Sequence, residues 1–153
     1  MALNSFAPNT VIKSAEVNAN WSNFSAHGRW AVLAWGFSGT LIINVPSKFY
    51  FMLPGNVTWE RADIIVDTAP TGANLIVDIE RSTDNGGTWI TIFTTQGNRP
   101  TITAGNRTGN TTTIDVPGAT ANNHLFRAVV EQVGSTVGGA DLTVLLKGKY
   151  DLD

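Results

Sequence analysis

The sequence predicts an all-β protein whose strands form an antiparallel sandwich or barrel. From residue 31 onward, apolar and polar residues alternate over short stretches, as in strands with one buried face. One stretch shows this clearly, because Leu75, Val77 and Ile79 face one side while Asp78 and Glu80 face the other. Gly, Pro and Asn residues, which favour turns, separate these stretches at short intervals.

Nine strands follow from this pattern, and a Gly- and Asn-rich stretch at 96–110 is expected to be a long exposed loop. The predicted strands are 31–37, 40–45, 48–53, 57–67, 73–81, 88–95, 111–116, 125–132 and 141–149.

Residues 1–30 are predicted to be a separate anchor segment, an extended arm followed by one short amphipathic helix, and 31–153 the β-domain. Ser14 can cap the helix, and Glu16 follows in its first turn, where the helix dipole favours a negative charge. Val17, Trp21 and Phe24 then share one face. A helix of about three turns is marginal alone. Its apolar stripe therefore needs a partner: its own β-domain, sister chains or a larger particle.

Composition narrows the function classes. The chain has 153 residues, enough for one domain with its own core, and no Cys, which excludes disulfides and thiolate metal sites. The net charge of −2, with scattered Lys and Arg, gives no basis for nucleic-acid binding. Only 14% of residues are charged, against about 25% in typical domains; Asn, Thr and Gly take their place, as in extracellular β-proteins and in virion components. Neither membrane insertion nor signal-dependent export is expected.

No residue pattern indicates an enzyme, a cofactor or a metal site. Asp63 and Asp67 share one strand face, as do Asp78 and Glu80, but outward strand positions bring carboxylates together throughout β-proteins. The two His residues are far apart in sequence and lack metal-ligand spacing.

Residues 82–89, Ser-Thr-Asp-Asn-Gly-Gly-Thr-Trp, resemble the Asp-box of sialidases. Sialidases carry several boxes on a much larger propeller, so a single box is interpreted as a structural hairpin. Asp84 is expected to accept backbone N–H bonds in the turn, Gly86 to supply a positive φ, and Trp89 to pack beneath the hairpin.

Two parts of the chain resemble phage and prophage virion proteins. Residues 6–24 contain a sequence pattern that such proteins share: in order, a hydrophobic residue, Pro, Thr-Val-Ile, Ser, Glu-Val-Asn, Asn and an aromatic residue. Farther on, a long strand ends in Asp-Thr-Ala-Pro-Thr-Gly at 67–72, and Leu-Thr-Val-Leu-Leu at 142–146 follows a Gly-rich loop. The resemblance implies a jelly-roll-like β-sandwich in a head or tail appendage, fibre, spike or decoration protein. It also implies a homotrimer, anchored to other virion proteins by the arm and released in the virion by lysis.

Two residue sets follow from this interpretation. The displayed loop, with Asn98, Arg99, Asn106 and Arg107, is a candidate for touching host-surface glycans. Asn18 and Asn20 are expected to satisfy backbone groups that a neighbouring chain leaves open. The predicted anchor residues are Phe6, Val11, Val17, Asn18, Asn20, Trp21 and Phe24.

Five Trp residues leave an alternative open, a free carbohydrate-binding module whose aromatic rings form a sugar platform. Burial of Trp in a core or an interface is the more common arrangement. Trp30 and Trp35 have an odd spacing, so a regular strand cannot turn both inward.

Overall fold

The computed structural model describes residues 30–115 and 124–150. The arm, the amphipathic helix and all seven predicted anchor residues lie outside this range. Within it, nine strands and one 3₁₀ turn at Gln96–Asn98 are present. The strands are β1 (Trp30–Thr40), β2 (Phe51–Met52), β3 (Val57–Thr68), β4 (Leu75–Ser82), β5 (Ile90–Thr91), β6 (Thr101–Ile102), β7 (Thr108–Thr111), β8 (Leu125–Gln132) and β9 (Ala140–Tyr150).

The strands form two antiparallel sheets that pack as a sandwich, as predicted. Sheet A has the order β1-β9-β3-β7, and sheet B has the order β2-β8-β4-β5, with β6 beside the other half of β4. With β6 counted as an added short strand, this is the strand order of a jelly roll, in which two four-stranded sheets enclose one core.

The core lies between the sheets and is made of the inward residues of the long strands. Trp35 of β1 and Phe51 of β2 meet edge to face, with ring centroids 5.4 Å apart. Trp59 and Phe126 make a second such pair, also at 5.4 Å. Trp35 is buried while Trp30 is exposed, which confirms that the two tryptophans face opposite ways.

A β-bulge between Trp59 and Arg61 changes the alternation along β3. Before the bulge, Val57 and Trp59 point into the core; after it, Ala62, Ile64 and Val66 do so. The extra residue therefore places Arg61, Asp63 and Ile65 on the outer face of sheet A.

Several predicted strands are wrong or shorter. Residues 41–50 contain no strand, 48–53 contributes only Phe51–Met52, and 88–95 contributes only Ile90–Thr91. The predicted loop at 96–110 instead holds the 3₁₀ turn, β6 and most of β7. These short strands depend on hydrogen bonds to distant segments, such as that from the Val66 N–H to the Arg107 carbonyl, 2.9 Å, which local sequence does not show.

Candidate functional site

One edge of the sandwich is apolar and exposed. β1 and β2 are the terminal strands of their sheets, and the contact between Trp35 and Phe51 shows that they lie on the same side. We call this surface the apolar edge. Its residues are between 43% and 68% exposed. They are Val32, Ile42, Ile43, Val45, Phe49, Tyr50 and Met52.

The exposure of these side chains follows from how residues 42–52 run along β8. The segment reaches β8 at separate points, through N–H bonds from Asn44 to the Val130 carbonyl and from Ser47 to the Ala128 carbonyl, each 2.8 Å. Pro46 lies between these points and has no N–H to donate. The resulting irregular edge leaves the apolar side chains facing outward.

A groove of about 420 Å³ borders the apolar edge and shares Ile42, Val45 and Phe49 with it. Phe37 and Leu41 add to its apolar lining, which also includes the polar residues Ser38, Thr40 and Lys48. Such a concave apolar surface is suited to receiving apolar side chains from another molecule.

The opposite edge of sheet A is polar. It is formed by β7, whose sequence is Thr-Gly-Asn-Thr, and it carries no large apolar side chain. Because both edges belong to the same sandwich, the apolar character of the β1 side is a local feature rather than a general property of the surface.

A charged cluster lies on the outer face of sheet A. Asp63 is largely buried there and is held by two cations: Arg61 Nε and Nη2 are each 2.7 Å from Oδ1, and Lys147 Nζ is 2.8 Å from Oδ2. Burial alone would raise the pKa of Asp63, but the hydrogen bonds and charges of Lys147 and Arg61 outweigh it and lower that pKa. The carboxylate therefore stays ionised, and the cluster has a formal charge of +1.

A groove of about 320 Å³ surrounds this cluster, which we call the charged groove. Strand register sets its walls, because Asp63 is opposite both Leu145 and Asn110, and Ile65 is opposite Thr108. The groove thus combines two cations and a carboxylate with an amide, a hydroxyl and two aliphatic side chains.

The outer face of sheet B carries a buried ion pair. Arg99 Nη2 lies 2.9 Å from Asp78 Oδ2, and the Thr91 hydroxyl donates to Asp78 Oδ1 at 2.6 Å. Burial raises the pKa of Asp78 to about 6, although the bond from Thr91 and the charge of Arg99 act in the opposite direction. Glu131 also faces Arg99, at 3.8 Å.

Two of the four predicted recognition residues are structural. Arg99 is held in the ion pair with Asp78, and the Asn98 amide donates to Asp115 Oδ1 at 2.7 Å. This corrects their expected place on a displayed loop. Asn106 and Arg107 are exposed, and Arg107 makes only a 4.0 Å contact with Asp67.

The Asp-box hairpin has the predicted structural form. Asp84 Oδ1 accepts from the Ser82 hydroxyl at 2.7 Å and from the Thr88 N–H at 2.8 Å. These bonds, the Thr88 N–H first among them, lower the pKa of Asp84 to about 2. Gly86 has a φ of 91°, as the turn requires.

Trp89, which follows this hairpin, is half-buried and contacts one cation and one aromatic ring. The Arg127 guanidinium lies 4.2 Å from the Trp89 ring centroid, and the Tyr50 ring centroid is 5.2 Å away. Arg127 also donates to Glu80 at 2.6 Å. Trp89 therefore links the hairpin to β8 of sheet B through its contact with Arg127.

Three of the four carboxylates in the two candidate pairs are held in ion pairs. Asp63 and Glu80 are ion-paired with basic side chains, Asp78 lies beneath Arg99, and Asp67 is exposed. In residues 30–115 and 124–150, no three His, Cys, Asp or Glu side chains gather as metal ligands do. The same residues include no helix with the length and apolar character needed to cross a membrane.

Comparisons with known proteins give no relationship for this chain: no family model matches it, and no curated protein does so either.

Proposed function

We propose that this chain is a non-enzymatic structural protein of a virion, an appendage, fibre, spike or decoration protein that associates with copies of itself. In this proposal residues 1–30 anchor the chain to other virion proteins, and the β-sandwich is displayed outward for attachment to the host surface. The support is the apolar edge, together with the resemblance of two sequence segments to phage and prophage virion proteins.

The observation that carries the proposal is the concentration of exposed apolar residues along the apolar edge. Six of the eleven residues at 42–52 are large apolar residues that are at least 43% exposed. Exposed apolar clusters of this kind mark interaction surfaces. A second copy of the chain is the partner that requires no further component.

The fold is compatible with this role. Jelly rolls recur in viral capsid and lectin domains, but one fold serves many functions. The apolar edge therefore carries more weight in the proposal than the fold does.

Molar mass in solution tests the proposal. Light scattering of the full chain is expected to give an oligomer, with a trimer as the specific expectation. The double variant Ile42→Lys/Phe49→Glu is expected to shift the protein to monomer, because two charges would be buried in the apolar contact. Val137→Lys is the matched control, since Val137 is an exposed apolar residue outside the apolar edge. A wild-type protein that stays monomeric across a wide concentration range would contradict self-association.

The alternative, a free carbohydrate-binding module with an aromatic platform, has less support. Trp35 and Trp59 are core residues, and Trp89 is covered by Arg127 and Tyr50. Sugar binding by a monomer through exposed aromatic rings, such as those of Trp30 and Phe49, would favour it.

A further inference from the structure

We infer that the charged groove on the outer face of sheet A binds an acidic saccharide, a sugar ring that bears neighbouring hydroxyls and a carboxylate. This inference rests on the proposed attachment role, for which it names a ligand class and a site. It concerns Arg61, Asp63, Lys147, Ile65 and Asn110, none of which belongs to the apolar edge.

The polar groups of the groove match the hydroxyls of a sugar. Asp63 itself is not the acceptor, because its Oδ2 has almost no accessible surface and its Oδ1 already receives both Arg61 contacts. The exposed Asn110 side chain, across from Asp63, supplies a carbonyl oxygen that can accept an O–H. Lys147 and Arg61, at 36% and 47% side-chain exposure, keep N–H groups that can donate to a neighbouring oxygen. An acceptor beside donors is the arrangement that two adjacent sugar hydroxyls require.

The charge of the groove selects an acidic ligand. Two cations share one carboxylate, which leaves one positive charge without a balancing partner inside the groove. A ligand carboxylate can pair with the exposed side of Lys147 or Arg61 by a charge-assisted hydrogen bond, which is stronger than a neutral one.

The remaining surface suits the flat, partly apolar face of a sugar ring. Ile65 is 44% exposed, and Leu145 is half-buried beside Asp63. The exposed Asn110 side chain lies across from Asp63 and offers both an N–H donor and a carbonyl acceptor. Pockets for small ligands have this composition, a mainly apolar surface with a few placed polar groups.

The position of the groove is compatible with self-association. Its strands, β9, β3 and β7, extend to the edge of sheet A opposite β1. Copies that meet through the apolar edge would therefore leave the groove open.

The test is a titration of the full chain with methyl glucuronide and, separately, with its neutral counterpart methyl glucoside. Amide chemical shifts monitor binding. Methyl glucuronide is expected to perturb amides in β3, β7 and β9, and methyl glucoside to bind about tenfold more weakly. Equal binding of the two sugars, perturbations confined to other strands, or no perturbation would overturn the inference.

Matched variants locate the interaction. Lys147→Met is expected to weaken glucuronide binding about tenfold, because the ligand carboxylate loses a charge-assisted hydrogen bond. Lys149→Met, the same change on the same strand outside the groove, is expected to leave it unchanged. Equal losses in the two variants would refute the site.

The two proposals fail separately. The monomeric Ile42→Lys/Phe49→Glu variant is expected to bind methyl glucuronide as the wild type does. A wild-type monomer that binds glucuronide would refute self-association alone, and an oligomer that binds neither sugar would refute the groove alone.

Discussion

The ion pair between Asp78 and Arg99 is the most deeply buried of those between described residues, with side chains 2% and 16% exposed. A buried pair of this kind adds little to stability by itself, but removing one member leaves an isolated charge in a poorly solvated place. Arg99 also fixes the segment that leads from the 3₁₀ turn to β6, since it lies between them in the chain.

We expect Arg99→Met to lower the free energy of unfolding by about 3 kcal/mol at neutral pH, because Asp78 would lose its counter-charge. Arg107→Met is the control, since Arg107 is exposed and its ion pair with Asp67 is loose, at 4.0 Å. Its effect on the free energy of unfolding should stay within about 0.5 kcal/mol. Urea unfolding measures both. Similar effects for the two variants would show that Arg99 is a displayed residue after all.

Asp78 also predicts a pH dependence. Burial raises its pKa in the folded protein to about 6, above the ordinary value of 3.8, so the folded state binds the proton more tightly. The contribution to stability is full below about pH 4, decreases as the pH rises through about 6 and is absent above that. Asp78→Asn should remove this slope. The measurement is urea unfolding of both proteins across this pH range, and a constant difference between them would contradict the raised pKa.

At the scale of elements, β7 lies close to β6 because residue 109 is Gly. A Cβ at this position would overlap the backbone carbonyl of Thr101. β7 also pairs with β3, so a displaced β7 would disturb the wall of the charged groove.

Gly109→Ala is therefore expected to lower the free energy of unfolding by about 1–3 kcal/mol, since backbone atoms must shift to make room. Gly97→Ala is the matched control, because a Cβ there meets nothing within 4 Å. Denaturation midpoints compare the two. If Gly97→Ala costs as much as Gly109→Ala, the tight approach of β6 and β7 is not what stabilises this edge.

The elements that the sequence predicts well are those whose pattern is set by the core. Strands β4, β8 and β9 alternate clearly enough to be located to within a few residues, and β3 is located by its length despite its bulge. The short strands β2, β5, β6 and β7 exist because distant segments pair with them, so their local sequence is a poor guide.

Neither the apolar edge nor the charged groove could be predicted from the sequence. The Thr-Val-Ile segment and the amphipathic stripe predict an anchor in residues 1–30, whereas the apolar residues at 42–52 are typical of strands with a buried face. The sequence pattern around Lys147 predicts only a solvated strand face. The ion pair between Lys147 and Asp63 depends on the register between β3 and β9 and on the bulge in β3, neither of which can be predicted from one sequence.

At the scale of the whole molecule, the described β-domain has two surfaces of opposite chemistry. The apolar edge lies along β1 and residues 42–52, and the charged groove lies over β9, β3 and β7. Salt screens exposed charges but does not weaken apolar contacts.

Added sodium chloride should therefore act oppositely on the two proposed activities. Self-association is expected to persist or strengthen, because its contact is apolar, while glucuronide binding is expected to weaken several-fold as the charges are screened. Light scattering and chemical-shift titration at low and high salt measure the two effects. Dissociation of the oligomer by salt would indicate that charged residues, rather than the apolar edge, hold the copies together.

The bulge at Glu60 lets β3 turn Trp59 into the core before it and Asp63 away from the core after it. A strand of regular pleat that turned Trp59 inward would also turn Arg61 and Asp63 inward, and those charges would then occupy the interior. One additional residue reverses the facing of everything that follows. Deletion of Glu60 would remove this additional residue and leave a regularly pleated strand that still turns Trp59 and Ile64 inward and Asp63 outward, so the loss of that one codon would straighten β3 without exchanging its two faces.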